Sequence, residues 1–105
     1  MRIQCIMRVK PLKITVHYIS LVKSYTNKSQ EDINLHGEAK LSDLLGKIAE
    51  QYGKSFTEVY DPAKKEMKST FVAMVNGVLM DQLSGIETKL KDGDSVILMS
   101  LMTGG

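Results

Sequence analysis

Hydrophobic and polar residues alternate from Leu12 onward, with Ile14, Val16 and Tyr18 on one side of an extended chain and Thr15 and His17 on the other. This pattern predicts a first strand over residues 12–25, although the alternation blurs after Ile19, where Leu21 and Val22 fall together. Pro11 stands ahead of the run, where a missing N–H is harmless. Residues 26–30 are a polar turn, and residues 31–36 form a short second strand with Ile33 and Leu35 in phase, closed by Gly37. The two strands read as a hairpin. Leu41, Leu44, Leu45, Ile48, Ala49 and Tyr52 then recur at helical spacing and define one apolar stripe, with Gly53 as the stop. Lys40 is a poor cap for this helix, Asp43 in its first turn suits the dipole, and Gly46 in its middle costs about 1 kcal/mol against Ala.

Residues 54–69 are polar, with Asp61-Pro62 as a turn signal and only Phe56, Val59 and Tyr60 to bury, which predicts a short helical turn and an exposed loop. Phe71–Val75 is continuously apolar, as in a strand buried on both faces. Asn76-Gly77 is a strong hairpin signal, with Val78, Leu79 and Met80 as the returning strand. Leu83, Ile86 and Leu90 are spaced to hold a loop over the core. After the turn Lys91-Asp92-Gly93-Asp94 comes a last strand, Ser95–Ser100. One helix on one face of a mixed sheet of four to five strands is the simplest arrangement of these parts, with the first and last strands central and parallel. That is an α+β fold of the β-grasp, or ubiquitin-like, type. Residues 1–12 are an N-terminal extension, 13–100 the folded domain, and 101–105 a flexible carboxyl tail.

The chain has 105 residues, room for one domain only, and a domain this small has a shallow core, which tilts the expectation towards a carrier or binding module. A net charge of +2 gives no case for nucleic acid. The first thirty residues hold six basic residues and no acid, whereas the remainder holds eight basic and twelve acidic ones, a balance suited to a basic protein partner. Cys5 is the single cysteine and is read as a bystander; with two histidines, His17 and His36, the chain offers neither a disulfide nor a metal ligand set. His17, on the polar phase of its strand, is read as a surface residue. No run approaches the ~20 apolar residues of a membrane span. Signal-peptide features are likewise missing, so the cytoplasm is the expected location.

The chemistry points to the last five residues, Leu101-Met102-Thr103-Gly104-Gly105. A terminal Gly-Gly adds nothing to packing and has high backbone entropy. Its virtue is slenderness, because two residues without Cβ can thread a narrow channel to a distant reaction centre. Two glycines at a given end arise by chance at roughly 0.5%, from an average usage of ~7%. A carboxylate is a poor acyl donor until it is made into a mixed anhydride, as by attack on the α-phosphate of ATP; sulfide or a persulfide can then displace AMP and leave a thiocarboxylate. The chain has neither a phosphate-cradling glycine loop nor a nucleophile–base pair, so ATP and the catalytic groups are expected on a partner, and no cofactor on the chain itself.

With Val75-Asn76-Gly77, the run Leu90-Lys91-Asp92-Gly93-Asp94-Ser95-Val96 and the terminal Thr103-Gly104-Gly105, the sequence resembles the ubiquitin-like sulfur carriers, most closely the small subunit of molybdopterin synthase, over about nine-tenths of its length. The resemblance implies that Gly105, preceded by Gly104, is adenylated by an E1-like enzyme and converted to a thiocarboxylate. The tail would then enter the large synthase subunit, which uses the sulfur to form the dithiolene of the molybdenum (or tungsten) cofactor. Thr103, Met102, Leu101 and Met99 would form the partner-binding collar. The chain departs from the family pattern ahead of its tail, where Met99-Ser100-Leu101-Met102 replaces an aromatic and a Pro-Pro pair, and in its basic leader. Three alternatives stand beside this reading: a thiamine-pathway sulfur carrier, disfavoured by the insert at 54–69; a protein modifier joined to lysines through Gly105; and an interaction domain with an inert tail.

Overall fold

The strand alternation around Ile14 is realised as β1, Pro11–Tyr18, in a computed structural model that describes residues 11–101. Ile14 and Val16 are fully buried and Tyr18 nearly so, while Lys13 is exposed. Pro11 and Leu12 belong to the strand and pair with His36 and Leu35. The strand does not continue to residue 25. The chain turns at Ser20 and enters a six-residue helix, α1, Leu21–Thr26, which buries Val22 and Thr26 one helical turn apart. Asn27, with φ of 60°, ends α1 and leads into β2, Gln30–His36, which pairs antiparallel with β1. The expected pairing of the two strands is therefore present, joined by a helix rather than a tight turn.

The main helix, α2, spans Leu41–Tyr52, as its period predicts, and buries Leu41, Leu44, Leu45, Ile48 and Ala49 against the sheet. A lysine side chain has no acceptor to cap the helix with, and its place is taken by Asp43, whose Oδ2 accepts the Lys40 backbone N–H at 2.8 Å. A 3₁₀ turn, Gly53–Glu58, follows and buries Phe56. Where the sequence predicts an exposed loop, a two-residue ladder pairs β3, Tyr60–Asp61, with β4, Glu66–Met67, and Val59 and Tyr60 sink into the core as expected.

β5, Phe71–Val75, turns at Asn76 and Gly77, with φ of 50° and 84°, into β6, Val78–Leu79; Met80 opens a 3₁₀ turn instead of extending the strand. Of the three residues expected to pin the following loop, Leu90 is buried and Ile86 packs on the core, but Leu83 is 42% exposed. The last strand, β7, is Ser95–Ser100. The sheet order is β2-β1-β7-β5-β6, with β1 and β7 parallel at its centre and α2 on one face. This is the β-grasp arrangement. Among the described residues no helix is long and apolar enough to cross a membrane.

Candidate docking face and tail exit

Since α2 covers only one face of the sheet, alternate residues of every strand look outward. In β7, Val96, Leu98 and Ser100 point into the core, whereas Ile97 and Met99 lie half-buried on the open face. In β5 the inward set is Phe71, Ala73 and Val75, which leaves Val72 and Met74 outside. Phe71–Val75 is thus not buried on both faces, although its apolar run suggests it; the outward residues are apolar, and among the described residues no element packs over them. Val72 stands opposite Met99, and Met74 lies between Ile97 on one side and Leu79 on the other. The face therefore divides. Its β7-β5-β6 half is apolar, while its β1-β2 half is polar, with the Thr15 hydroxyl donating to Asp32 at 2.9 Å and Lys13 4.0 Å from the same carboxylate.

The apolar half leads directly to the carboxyl end of the chain. Leu101, 58% exposed, is the first residue past β7, and its N–H donates to the Thr70 carbonyl at 2.7 Å. That bond continues the β5–β7 ladder by one step, at the last described residue. Of the collar expected from sequence, Met99 lies on the apolar face and Leu101 at the exit. Met102, Thr103, Gly104 and Gly105 lie outside the described residues, as does Cys5. The sequence reading missed Val72, Met74, Leu79 and Ile97. Their signal was present as an excess: strands covered on one side carry apolar residues on both.

The motifs Asn76-Gly77 and Lys91-Asp92-Gly93-Asp94 meet at the opposite end of β7. Asn76 Nδ2 donates to Asp94 Oδ1 at 2.9 Å, Asn76 Oδ1 accepts the Ser95 N–H at 2.9 Å, and Asp94 Oδ2 accepts the Lys91 N–H at 2.7 Å. Asp92 accepts the Lys13 N–H at 2.8 Å, and the Thr15 N–H donates to the Asp94 carbonyl at 3.1 Å. Six strand steps, about 20 Å, separate this network from the exit at Leu101. Its role is to fix where β7 starts, and through that the position at which the tail leaves.

A second polar cluster lies between β2 and α2. Glu31 Oε2 accepts the Tyr18 and Tyr52 hydroxyls, both at 2.6 Å, and Oε1 accepts Lys28 Nζ at 3.1 Å and Gln51 Nε2 at 3.3 Å. Burial pushes the Glu31 carboxyl up, but these four donors outweigh it and hold the group below the usual carboxylate range. Burial, followed by the neighbouring carboxylate, drives the Tyr18 hydroxyl far above a tyrosine's ordinary value, so it remains a neutral donor. The cluster faces neither the exit nor the apolar face. Among the described residues no group of three or more His, Cys, Asp or Glu side chains could hold a metal ion.

A family model described as the ThiS family matches residues 16–105. No curated protein sequence matches the chain. Among solved structures, the small archaeal modifier protein 1 of Methanosarcina acetivorans superposes with a TM-score of 0.72 at 22% identity, over 91% of this chain and 99% of that one. A Pyrococcus furiosus protein described as a candidate molybdopterin converting factor, subunit 1, gives 0.68 at 25% identity, over 87% and 99%. A chain of the Amycolatopsis orientalis BexX/CysO complex gives 0.72 at 15% identity, over 88% and 99%.

Proposed function

The chain belongs to the ThiS family, among the ubiquitin-like sulfur carriers and modifiers, and from that membership we propose that it is a cytoplasmic sulfur carrier, the small subunit of a molybdopterin synthase. The observation that carries this reading is the way β7 ends. The strand is paired with β1 through Leu98 and with β5 through Ser100, and its Leu101 N–H still holds the Thr70 carbonyl beside an apolar face, four residues before Gly105 and its carboxylate. A partner seated on Val72, Met74, Ile97 and Met99 would lie beside Leu101, from which the sequence runs through Met102 and Thr103 to two residues without side chains.

In the proposed cycle an E1-like adenylating enzyme supplies ATP. The Gly105 carboxylate oxygen attacks the α-phosphorus and pyrophosphate leaves; hydrosulfide then attacks the acyl carbon and AMP leaves, which gives the thiocarboxylate and a proton. The tail next enters the large synthase subunit, where the sulfur is passed to the pterin precursor of the molybdenum (or tungsten) cofactor. In this cycle the chain's own reacting group is the Gly105 carboxylate, and the folded domain supplies its position. The Pyrococcus furiosus neighbour, with its molybdopterin label, supports the synthase assignment over the thiamine pathway. The modifier label of the Methanosarcina acetivorans neighbour supports a second outcome, in which a lysine amine rather than sulfur takes the acyl group.

The test is intact-mass spectrometry of the full chain after incubation with the adenylating enzyme, ATP and a sulfur donor. The expected product is heavier by the difference between a sulfur and an oxygen atom, and deletion of Gly105 abolishes the gain without changing the unfolding temperature. Conjugates to lysines in place of the thiocarboxylate would move the assignment to a modifier. An unchanged mass would sink the proposal.

A further inference from the structure

A hollow of about 440 Å³ opens at the corner where β1 gives way to α1, lined by His17, Tyr18, Ile19, Ser20, Lys23 and Ile97 among others. Its apolar part is Ile19, 41% exposed, and Ile97, which also belongs to the apolar face beside Met74. The hollow is therefore continuous with the proposed docking face and lies about 13 Å along β7 from the exit at Leu101. Lys23 is exposed, has no ion pair among the described residues, and no carboxylate lines the hollow with it.

Ser20 forms part of the wall with φ of 58° and ψ of −133°, a conformation that favours glycine. Its surroundings hold it there. The Ile19 N–H donates to the Leu98 carbonyl at 2.9 Å, the Lys23 N–H donates to the Ser20 carbonyl at 3.1 Å, and Val22 is fully buried just beyond. The Ser20 side chain makes no capping bond to α1, so the hydroxyl gives nothing local in return for the strained backbone. A strained serine, an unpaired cation and two apolar side chains open onto one space.

Building on the carrier reading, we infer that this hollow is a recognition notch for the activating enzyme, which inserts an apolar side chain flanked by a carboxylate. The apolar group packs on Ile19 and Ile97, and the carboxylate pairs with Lys23. The charge here is opposite to that of the chain beyond residue 30, where acids outnumber bases. Such a pair selects among partners and speeds encounter more than it raises affinity. The notch therefore lets an enzyme that grips the sheet face also test the corner beside it before the tail is engaged.

The experiment measures pyrophosphate release by the E1-like enzyme as a function of full-length carrier concentration, for the wild type, Lys23→Ala, Lys23→Glu and Met99→Glu, each shown to be folded by thermal unfolding. Lys23→Glu is expected to raise KM for the carrier by about tenfold, and Lys23→Ala by about threefold, with kcat kept. Added salt should weaken the wild type more than Lys23→Ala. If both Lys23 variants keep the wild-type KM while Met99→Glu raises it, the notch is overturned and the docking face stands. If the wild-type chain is not adenylated at all, the carrier reading falls and the notch with it.

Discussion

Replacing Glu31 by alanine removes the acceptor shared by Tyr18, Tyr52, Lys28 and Gln51. The cost is set by what each donor can do afterwards. Tyr18 is 1% exposed, so its hydroxyl loses a bond to a charged acceptor and gains no water; that loss is worth about 1.5–3 kcal/mol. Tyr52 is half-buried and recovers most of its hydrogen bonding from solvent, as does exposed Gln51. The edge-to-face packing of the two tyrosine rings, 6.3 Å apart at 83°, loses the group that holds both hydroxyls in register. Glu31→Ala is therefore expected to destabilise the domain by about 3 kcal/mol in urea unfolding followed by circular dichroism, a large share of a total of about 5–15 kcal/mol. Adding Tyr18→Phe removes the stranded donor, so the double variant should be more stable than the sum of single effects by about 1.5–2 kcal/mol. Acid should act in the same direction. Because the folded Glu31 carboxyl titrates below its unfolded value, its contribution is present above about pH 4.3 and is lost as the pH falls through the lower folded value. Additive single effects, or a cost for Glu31→Ala below about 1 kcal/mol, would show that the cluster is a surface decoration and the reasoning wrong.

Other consequences are as definite. Gly46→Ala, in the middle of α2, places a Cβ where nothing lies within 4 Å and should raise stability by about 1 kcal/mol, seen as a higher urea midpoint with an unchanged slope. Asn76→Ala loses its bonds to Asp94 and Ser95 and puts alanine at a positive φ, which together should cost about 2–3 kcal/mol in the same assay. Asp94→Ala should add less in that background than alone, because the two residues share one network.

The parts of the fold that were legible in the sequence are those with a long enough period or a turn with one solution. Twelve residues of α2 repeat their apolar stripe three times, and Asn76-Gly77 and Asp92-Gly93 each specify a reversal. The helix α1 was hidden by its length. Six residues give less than two turns, and Val22, Tyr25 and Thr26 carry strand propensity, so the tertiary setting of Val22 and Thr26, both buried, decides the outcome. The docking face was obscured by a related ambiguity: an apolar run such as Phe71–Val75 reads alike whether its second face is covered by protein or left open. Met99 and Leu101 were found through their nearness to the tail; Ile97, Met74 and Val72 needed the register, which places them side by side.

The double pairing of β7 also determines what happens when a partner draws the chain's end into a channel. Tension applied at Leu101 runs along the strand axis, so the ladders to β1 and β5 are loaded in shear and must yield together rather than peel one after another. The anchorage of Ser95 by Asn76 keeps the far end of the strand from sliding. A domain built in this way can be towed by its last residues without coming apart.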